Sequence, residues 1–297
     1  MANAVTTTSP LYSTPYLTVA EYKQAPTAID VDDLVGGGSQ ALNDAELSNV
    51  VARASSWIDT VCGQVLSATN DTEHGRARIS RDGALRIHPR YWPVLEVTGF
   101  FYGVTPNALV TLTDVSGAWI EPMEILIPLQ GLGTSFLGQL GFSSPRLGAE
   151  AFYRLIYVNG YPNATLATAS VAGAATLTLS EVTGILPGSR FTVYDADFTE
   201  TVTVASTWVP TSGQATVPLV GVTSKAHYAP GVACSALPPA VKQAAIYVTS
   251  AILKARGSAS LVMDSITPGG SANGYPGGSA TDMAMARELL APYRRMR

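Results

Sequence analysis

The sequence predicts an α+β fold: a small helical scaffold of two long helices and short ones beside them, with large β-strand insertions that include a small barrel- or sandwich-like module. Three observations predict it. Apolar residues recur at helical spacing over residues 43–63 and again over residues 239–256. Between them, about 170 residues carry period-two alternation punctuated by turn residues. Only 13% of the 297 residues are charged, and Gly, Pro, Thr, Ser and Ala fill the gap. That charged share is about half the usual one, which points to burial in an assembly.

Residues 1–16 are rich in Thr, Ser and Pro and are expected as a loose arm. Thr18 and Glu21 have capping-box spacing and open a short helix through Gln24, which Pro26 ends. Gly36, Gly37 and Gly38 mark a loop. The main helix follows. Leu47, Val50, Val51, Ala54, Trp57, Ile58, Val61 and Cys62 form its apolar stripe, and Glu46, Asn49, Arg53, Ser56 and Thr60 the opposite one. Asn43 is expected to cap its start, with Glu46 answering, and Gly63 its end. Such a helix is ~30 Å long at about 1.5 Å per residue. Its apolar stripe needs the second long helix as partner. Its polar stripe is expected to face a neighbouring subunit.

A strand region runs from about residue 73 to 160. Its first hairpin can be registered. A three-residue loop, Arg81-Asp82-Gly83, pairs Ile79 with Leu85 and Ala77 with Ile87 and buries one consistent face. It also sets Arg78 opposite Arg86 and Arg76 opposite His88, which is unfavourable unless something acidic neutralises the face. Residues 93–97, 108–113, 123–128 and 154–158 read as further strands, 131–148 as a long loop and 160–163 as a closing turn. From 164 to 236 a charge-poor β-module follows, with strands at 176–179, 191–194, 201–204 and 215–219. The second long helix opens at Pro239 and is apolar nearly all round, so subunit contact is expected there. Residues 258–280 have linker composition. Residues 281–290 form a short helix with Met283, Ala286 and Leu290 on one face, and a basic tail follows Pro292. The domains predicted are therefore 1–163 (arm, helical scaffold and hairpins), 164–236 (β-module), 237–257 (core helix) and 258–297 (linker and docking helix).

Chemistry is harder to find than architecture. The three histidines lack metal-ligand spacing, and there is no P-loop and no nucleophile elbow. Cys62 and Cys234 belong to no CxxC pattern and read as reduced, packed thiols. Neither a signal peptide nor an apolar run of membrane-spanning length is present, so a soluble protein made in the cytoplasm is expected. No catalysis, cofactor, metal or membrane is expected. The net charge of −4 excludes a global field for gripping nucleic acid. Half of the 18 basic residues nevertheless crowd two windows, Arg76, Arg78, Arg81, Arg86 and Arg90, and Arg287, Arg294, Arg295 and Arg297. A rival reading makes the β-module a carbohydrate- or receptor-binding unit with Tyr194, Trp208 and Tyr228 as a platform.

In order along the chain, Tyr16-Leu17-Thr18-Val19-Ala20-Glu21-Tyr22, residues 43–66 with Ala54-Ser55-Ser56-Trp57-Ile58-Asp59, and Leu237-Pro238-Pro239-Ala240-Val241-Lys242 resemble the three helices of the head–tail adaptor (connector) proteins of long-tailed bacteriophages. His88-Pro89-Arg90-Tyr91-Trp92-Pro93 and Tyr157-Val158-Asn159-Gly160-Tyr161-Pro162 resemble strand segments of versions from phages of actinobacterial hosts. The simplest members lack the strands between the helices. The resemblance implies a structural virion protein of the neck: a dodecameric ring under the portal protein, with a stopper or tail-completion protein below and double-stranded DNA passing through without sequence-specific binding. In that setting Met283, Leu290, Tyr293, Arg294, Arg295 and Arg297 are expected to dock on the portal. Arg76, Arg78, Arg86 and Arg90 are expected to meet an adjacent subunit or the channel.

Overall fold

A computed structural model describes residues 4–7, 14–27, 29–80, 84–128, 150–195, 198–211, 213–227, 231–255 and 279–295. The chain divides into two compact units, Met1–Leu11 with Ala68–Tyr161, and Tyr12–Ser67 with Pro162–Arg297. The strand region is thus a unit of its own, and the β-module lies in the same unit as the helices. The division follows spatial contact, whereas the sequence reading followed changes in composition along the chain.

The first unit holds β1 (Ala4–Thr7), β2 (Thr69–Arg78), β3 (Ala84–Ile87), β4 (Val94–Gly103), β5 (Val110–Leu112), β6 (Trp119–Glu121), β7 (Glu124–Pro128) and β8 (Glu150–Asn159). They form two antiparallel sheets, in the orders β1-β2-β8-β4-β5 and β3-β7-β6. Alternation along β8 sends Ala151, Tyr153, Leu155 and Tyr157 inward. They meet Phe100 and Tyr102 of β4 and Leu85, Ile87, Ile125 and Ile127 of the smaller sheet in one core. Phe100 stacks between Tyr102 and Tyr153, with ring centroids 5.9 and 6.2 Å apart.

Two expectations are corrected here. The start of the chain is not wholly loose, because Ala4–Thr7 pairs with β2 from His74 to Asp71. A strand edge offers unpaired N–H and C=O groups, and a Val/Thr-containing segment can satisfy them. The hairpin register holds at Ile79, which bridges Leu85, and stops there. Ala77 pairs with Ala151 and Ile87 with Ile125, so β2 and β3 belong to different sheets. The chain turns a sandwich corner after Ile79, and Arg78 never faces Arg86. The loop residues 81–83 and the loop expected at 131–148 lie outside the described residues.

The second unit holds α1 (Val19–Gln24), α2 (Gln40–Cys62), six strands, α3 (Pro239–Ala255), α4 (Ser279–Leu289) and a 3-10 turn (Ala291–Tyr293). Thr18 and Glu21 make the capping box at α1. Helix α2 begins earlier than expected, with Ser39 at the N-cap, because Gln40, Ala41 and Leu42 all favour helix once Gly38 has broken the loop. Asn43 is therefore not a cap. It is buried, accepts from the Val35 N–H at 2.9 Å and donates to the Asp32 carbonyl, fastening the preceding loop. Gly63 ends α2 in the left-handed conformation, at φ 70°.

Helix α3 packs on both α2 and α4. Leu47, Val50, Val51, Ala54 and Ile58 of α2 and Val241, Ala244, Ala245, Val248 and Ala251 of α3 are all buried. The β-module comprises β9 (Asn163–Thr165), β10 (Thr176–Leu179), β11 (Arg190–Tyr194), β12 (Glu200–Thr203), β13 (Ala215–Pro218) and β14 (Ala233–Ser235). Its two sheets, β10-β13 and β12-β11-β14-β9, are joined by the single bridges Leu166–Leu179 and Val204–Leu219. Leu166, Leu177, Leu179, Phe191, Val193, Val204 and Val217 fill the space between them. The short strands β9 and β14 escape the sequence reading, since three residues are too few to show a period.

Candidate functional site

The first basic window lies on strands, and alternation decides where each cation points. On β2, Thr69, Asp71 and Glu73 face inward, while His74, Arg76 and Arg78 face out. On β8, Phe152, Arg154 and Ile156 face out beside them. The pairings His74–Arg154, Arg76–Phe152 and Arg78–Glu150 bring these side chains together. Arg76 lies 4.6 Å from the centre of the Phe152 ring and 3.9 Å from Glu150. Arg154 lies 3.8 Å from the ring centre of Phe101, which β4 pairs opposite it. Stacking of this kind leaves the guanidinium edges available to an outside acceptor. The result is an outward cationic and aromatic face built from β2, β8 and β4.

The acid that this window calls for is supplied in part by the chain itself. Glu150 lies 3.5 Å from Arg78, and Glu124 lies 3.2 Å from Arg86. Arg86 stands apart from Arg76 and Arg78, on the smaller sheet. Arg90 does structural work: its backbone N–H donates to Glu73 at 2.8 Å, and its guanidinium lies 5.7 Å from the Tyr91 ring centre. Arg154, Phe101 and Phe152 were missed from the sequence. Residues 154–158 read as a strand, and alternation along 150–159 is the signal that sends Phe152 and Arg154 to the outer face.

Beneath this face, Glu73 is fully buried and accepts from the phenols of Tyr153 and Tyr157 at 3.3 Å each. Burial, reinforced by Glu73, pushes both phenols above their usual range, so they remain donors. Asp71 accepts from Asn159 at 2.6 Å and from Thr69 at 2.7 Å. This polar core fixes β2 against β8 and so fixes the outer face.

The C-terminal residues are placed differently from expectation. Helix α4 lies on α3 of its own chain, with Lys254 bonded to Asp282 at 2.9 Å. Ala286 and Leu290 are fully buried, so Leu290 is not on the open surface, and Met283 is half-buried. The short apolar stripe read as a docking face is consumed internally because α3 is apolar on several sides and needs cover. Tyr293 is half-buried, whereas Arg294 and Arg295 are exposed. The tail is anchored by the Arg295 N–H to the Cys62 carbonyl at 2.9 Å and by the Arg294 guanidinium to the Arg287 carbonyl at 3.2 Å. Arg297 lies outside the described residues.

Two buried polar hubs hold the helical scaffold. Tyr16 is buried and donates to Asp59, while its hydroxyl accepts from the Leu66 N–H at 2.9 Å and its own N–H donates to Ser55 at 3.0 Å. Burial pushes the Asp59 carboxyl up to about 6, against the pull of the Tyr16 hydrogen bond. Lys242 of α3 bonds to Glu21 of α1 at 2.6 Å and to the Tyr16 carbonyl at 3.3 Å, and it lies 4.0 Å from the ring centre of Tyr194 on β11. Burial draws its ammonium below the usual range, with Glu21 opposing. Cys62 and Cys234 are free and buried, and burial pushes both thiols up to about 12. Of the aromatics in the rival reading, Trp208 packs on the module core and Tyr194 covers Lys242. Tyr228 lies outside the described residues.

No family model matches the chain, and no curated protein matches it. A solved structure described as "Neck of empty GTA particle computed with C6 symmetry" is similar at 12% identity, covering 99% of this chain and 96% of that one, with a TM-score of 0.36. At that score the two backbones diverge too far for a role to be transferred. Among the described residues, no helix is long and apolar enough to cross a membrane.

Proposed function

We propose that the chain is a structural head-to-tail adaptor of a tailed bacteriophage. Copies form a ring, a dodecamer by the resemblance, beneath the portal protein and above a stopper or tail-completion protein. Double-stranded DNA passes through the lumen. The protein acts by binding alone and does no catalysis. The observation that carries this reading is the pairing of α2 with α3 across the intervening strands, the arrangement expected from the order of the resembling segments. The polar stripe of α2 supports it as well, since Asn49, Arg53 and Ser56 are exposed and open to a neighbouring copy.

In this reading the exposed tail cations Arg294 and Arg295, with Tyr293, meet acidic or carbonyl groups of the portal. The outward face of Arg76, Arg78 and Arg154 meets an adjacent subunit or lines the channel. The test is co-sedimentation with the cognate portal protein. The double variant Arg294→Glu/Arg295→Glu should keep the wild-type melting temperature and bind the portal at least about tenfold more weakly, as loss of interfacial charge pairs does. Undiminished binding would discard the tail as the docking element.

A further inference from the structure

Two strongly exposed apolar side chains lie on the β6–β7 hairpin, Trp119 at 66% exposure and Met123 at 54%, while Ile120, at 37%, lies on the face of β6 opposite to Trp119, beside buried Ile125. Strand β6 is the edge of its sheet, and an apolar edge strand is a template for another chain. Trp119 aligns with Leu126, and Leu126 with Arg86, across the outer surface of that sheet. Glu121 is exposed at the same tip, and Glu124 is held by Arg86 at 3.2 Å. The hairpin thus presents a tryptophan anchor beside one negative charge.

A second apolar patch lies on the β-module. Val171, Val220 and Val222 are 71%, 65% and 60% exposed. They are displayed on a fixed frame. Buried Thr223 donates to the Val171 carbonyl at 2.9 Å and accepts from the Ala174 N–H at 3.1 Å, and Val220 donates its N–H to Thr203 at 2.8 Å. Arg190, which pairs with Thr203, is exposed at this end, and Lys225 is exposed on the same loop. This patch is apolar with two exposed cations; the carboxylate at the loop, Glu200, is half-buried and taken up by Ser224, His227 and the Lys225 N–H.

We infer that the β6–β7 hairpin of one copy seats against the valine loops of a second copy. The inference rests on the ring reading above and names one contact within it. Charge decides the pairing. Either patch against its own twin would oppose like charges, Glu121 to Glu121 or Arg190 and Lys225 to themselves. Hairpin against valine loops sets Glu121 toward Arg190 and Lys225 around an apolar centre, the arrangement of a hot spot with a polar rim. A contact between two different patches is head-to-tail, and head-to-tail contacts generate closed rings when the rotation closes.

The test uses full-length chains carrying single new cysteines beside the patches, Pro122→Cys in one and Ala172→Cys in the other, with native Cys62 and Cys234 buried at 1% and 0% exposure. Mixed and mildly oxidised, the two chains should form a disulfide-linked pair at a yield at least about tenfold above either chain alone. Adding Glu121→Lys to the first chain should lower that yield about tenfold, and Arg190→Glu with Lys225→Glu in the second should restore it. A mixed yield no greater than that of the separate chains, or one insensitive to Glu121→Lys, overturns the contact. Particle mass tests the ring independently: a large particle without the mixed cross-link discards this contact and leaves the ring standing.

Discussion

Gly75 shows how a single residue sets the geometry around it. A β-carbon there would meet the Tyr153 hydroxyl at 2.6 Å and its ring at 2.7 Å, so the missing side chain is what lets Tyr153 cross β2 to reach Glu73. Gly75→Ala should destabilise the strand unit by about 1 to 3 kcal/mol, the usual cost of overpacking, measured by denaturant unfolding. Asp59 gives a pH signature. Its carboxyl is raised from 3.8 to about 6 by burial, so the folded state holds a proton that the unfolded state releases. Its stabilising share is complete below pH 3.8 and is lost as pH rises through about 6. Asp59→Asn keeps an acceptor for Tyr16 and removes the titration. It should flatten the fall in stability between pH 4 and 7, with a gain at pH 7 of up to about 3 kcal/mol. A variant whose stability still falls as steeply as wild type over that range would contradict the assignment.

At the scale of elements, α4 is part of the fold rather than a free docking peptide. Leu290→Ala should cost about 2 to 4 kcal/mol, the range for buried leucines, and this can be read as a lower melting temperature. A chain ending at Gly257 should lose portal binding and also some stability, since it uncovers α3 and breaks the Lys254–Asp282 pair. Helices α1, α2 and α3 were legible in the sequence because long periodic stripes and a capping box are local signals. Asn43 was misread because the same residue type serves as a cap and as a buried fastener, and only the tertiary position of residues 32–35 distinguishes the two. The opposed arginines were misread because local pairing rules continue a hairpin indefinitely, whereas here the chain changes sheets after Ile79. The cationic and aromatic face was invisible for a related reason: Arg76 and Arg154 are far apart in sequence and become neighbours only through β2–β8 pairing.

For the whole molecule, low charge joins an outward arginine face and, among the described residues, exposed apolar patches on the β6–β7 hairpin and the valine loops, and exposed apolar patches of this kind favour contact with another chain. The division into a strand unit and a helix-plus-module unit places the hairpin patch in one and the valine patch in the other, so under the proposed contact each copy would carry both halves. The C-terminal tail, proposed above to dock on the portal, belongs to the unit that also carries α2 and α3, the segments on which the adaptor resemblance rests. The proposed ring beneath the portal is tested by the mass of the complex formed when this protein is added to purified cognate portal rings. A single discrete species heavier than the portal by about twelve copies of the chain is expected, arranged as a closed symmetric ring. Portal rings of unchanged mass, with the chain remaining monomeric beside them, would contradict it.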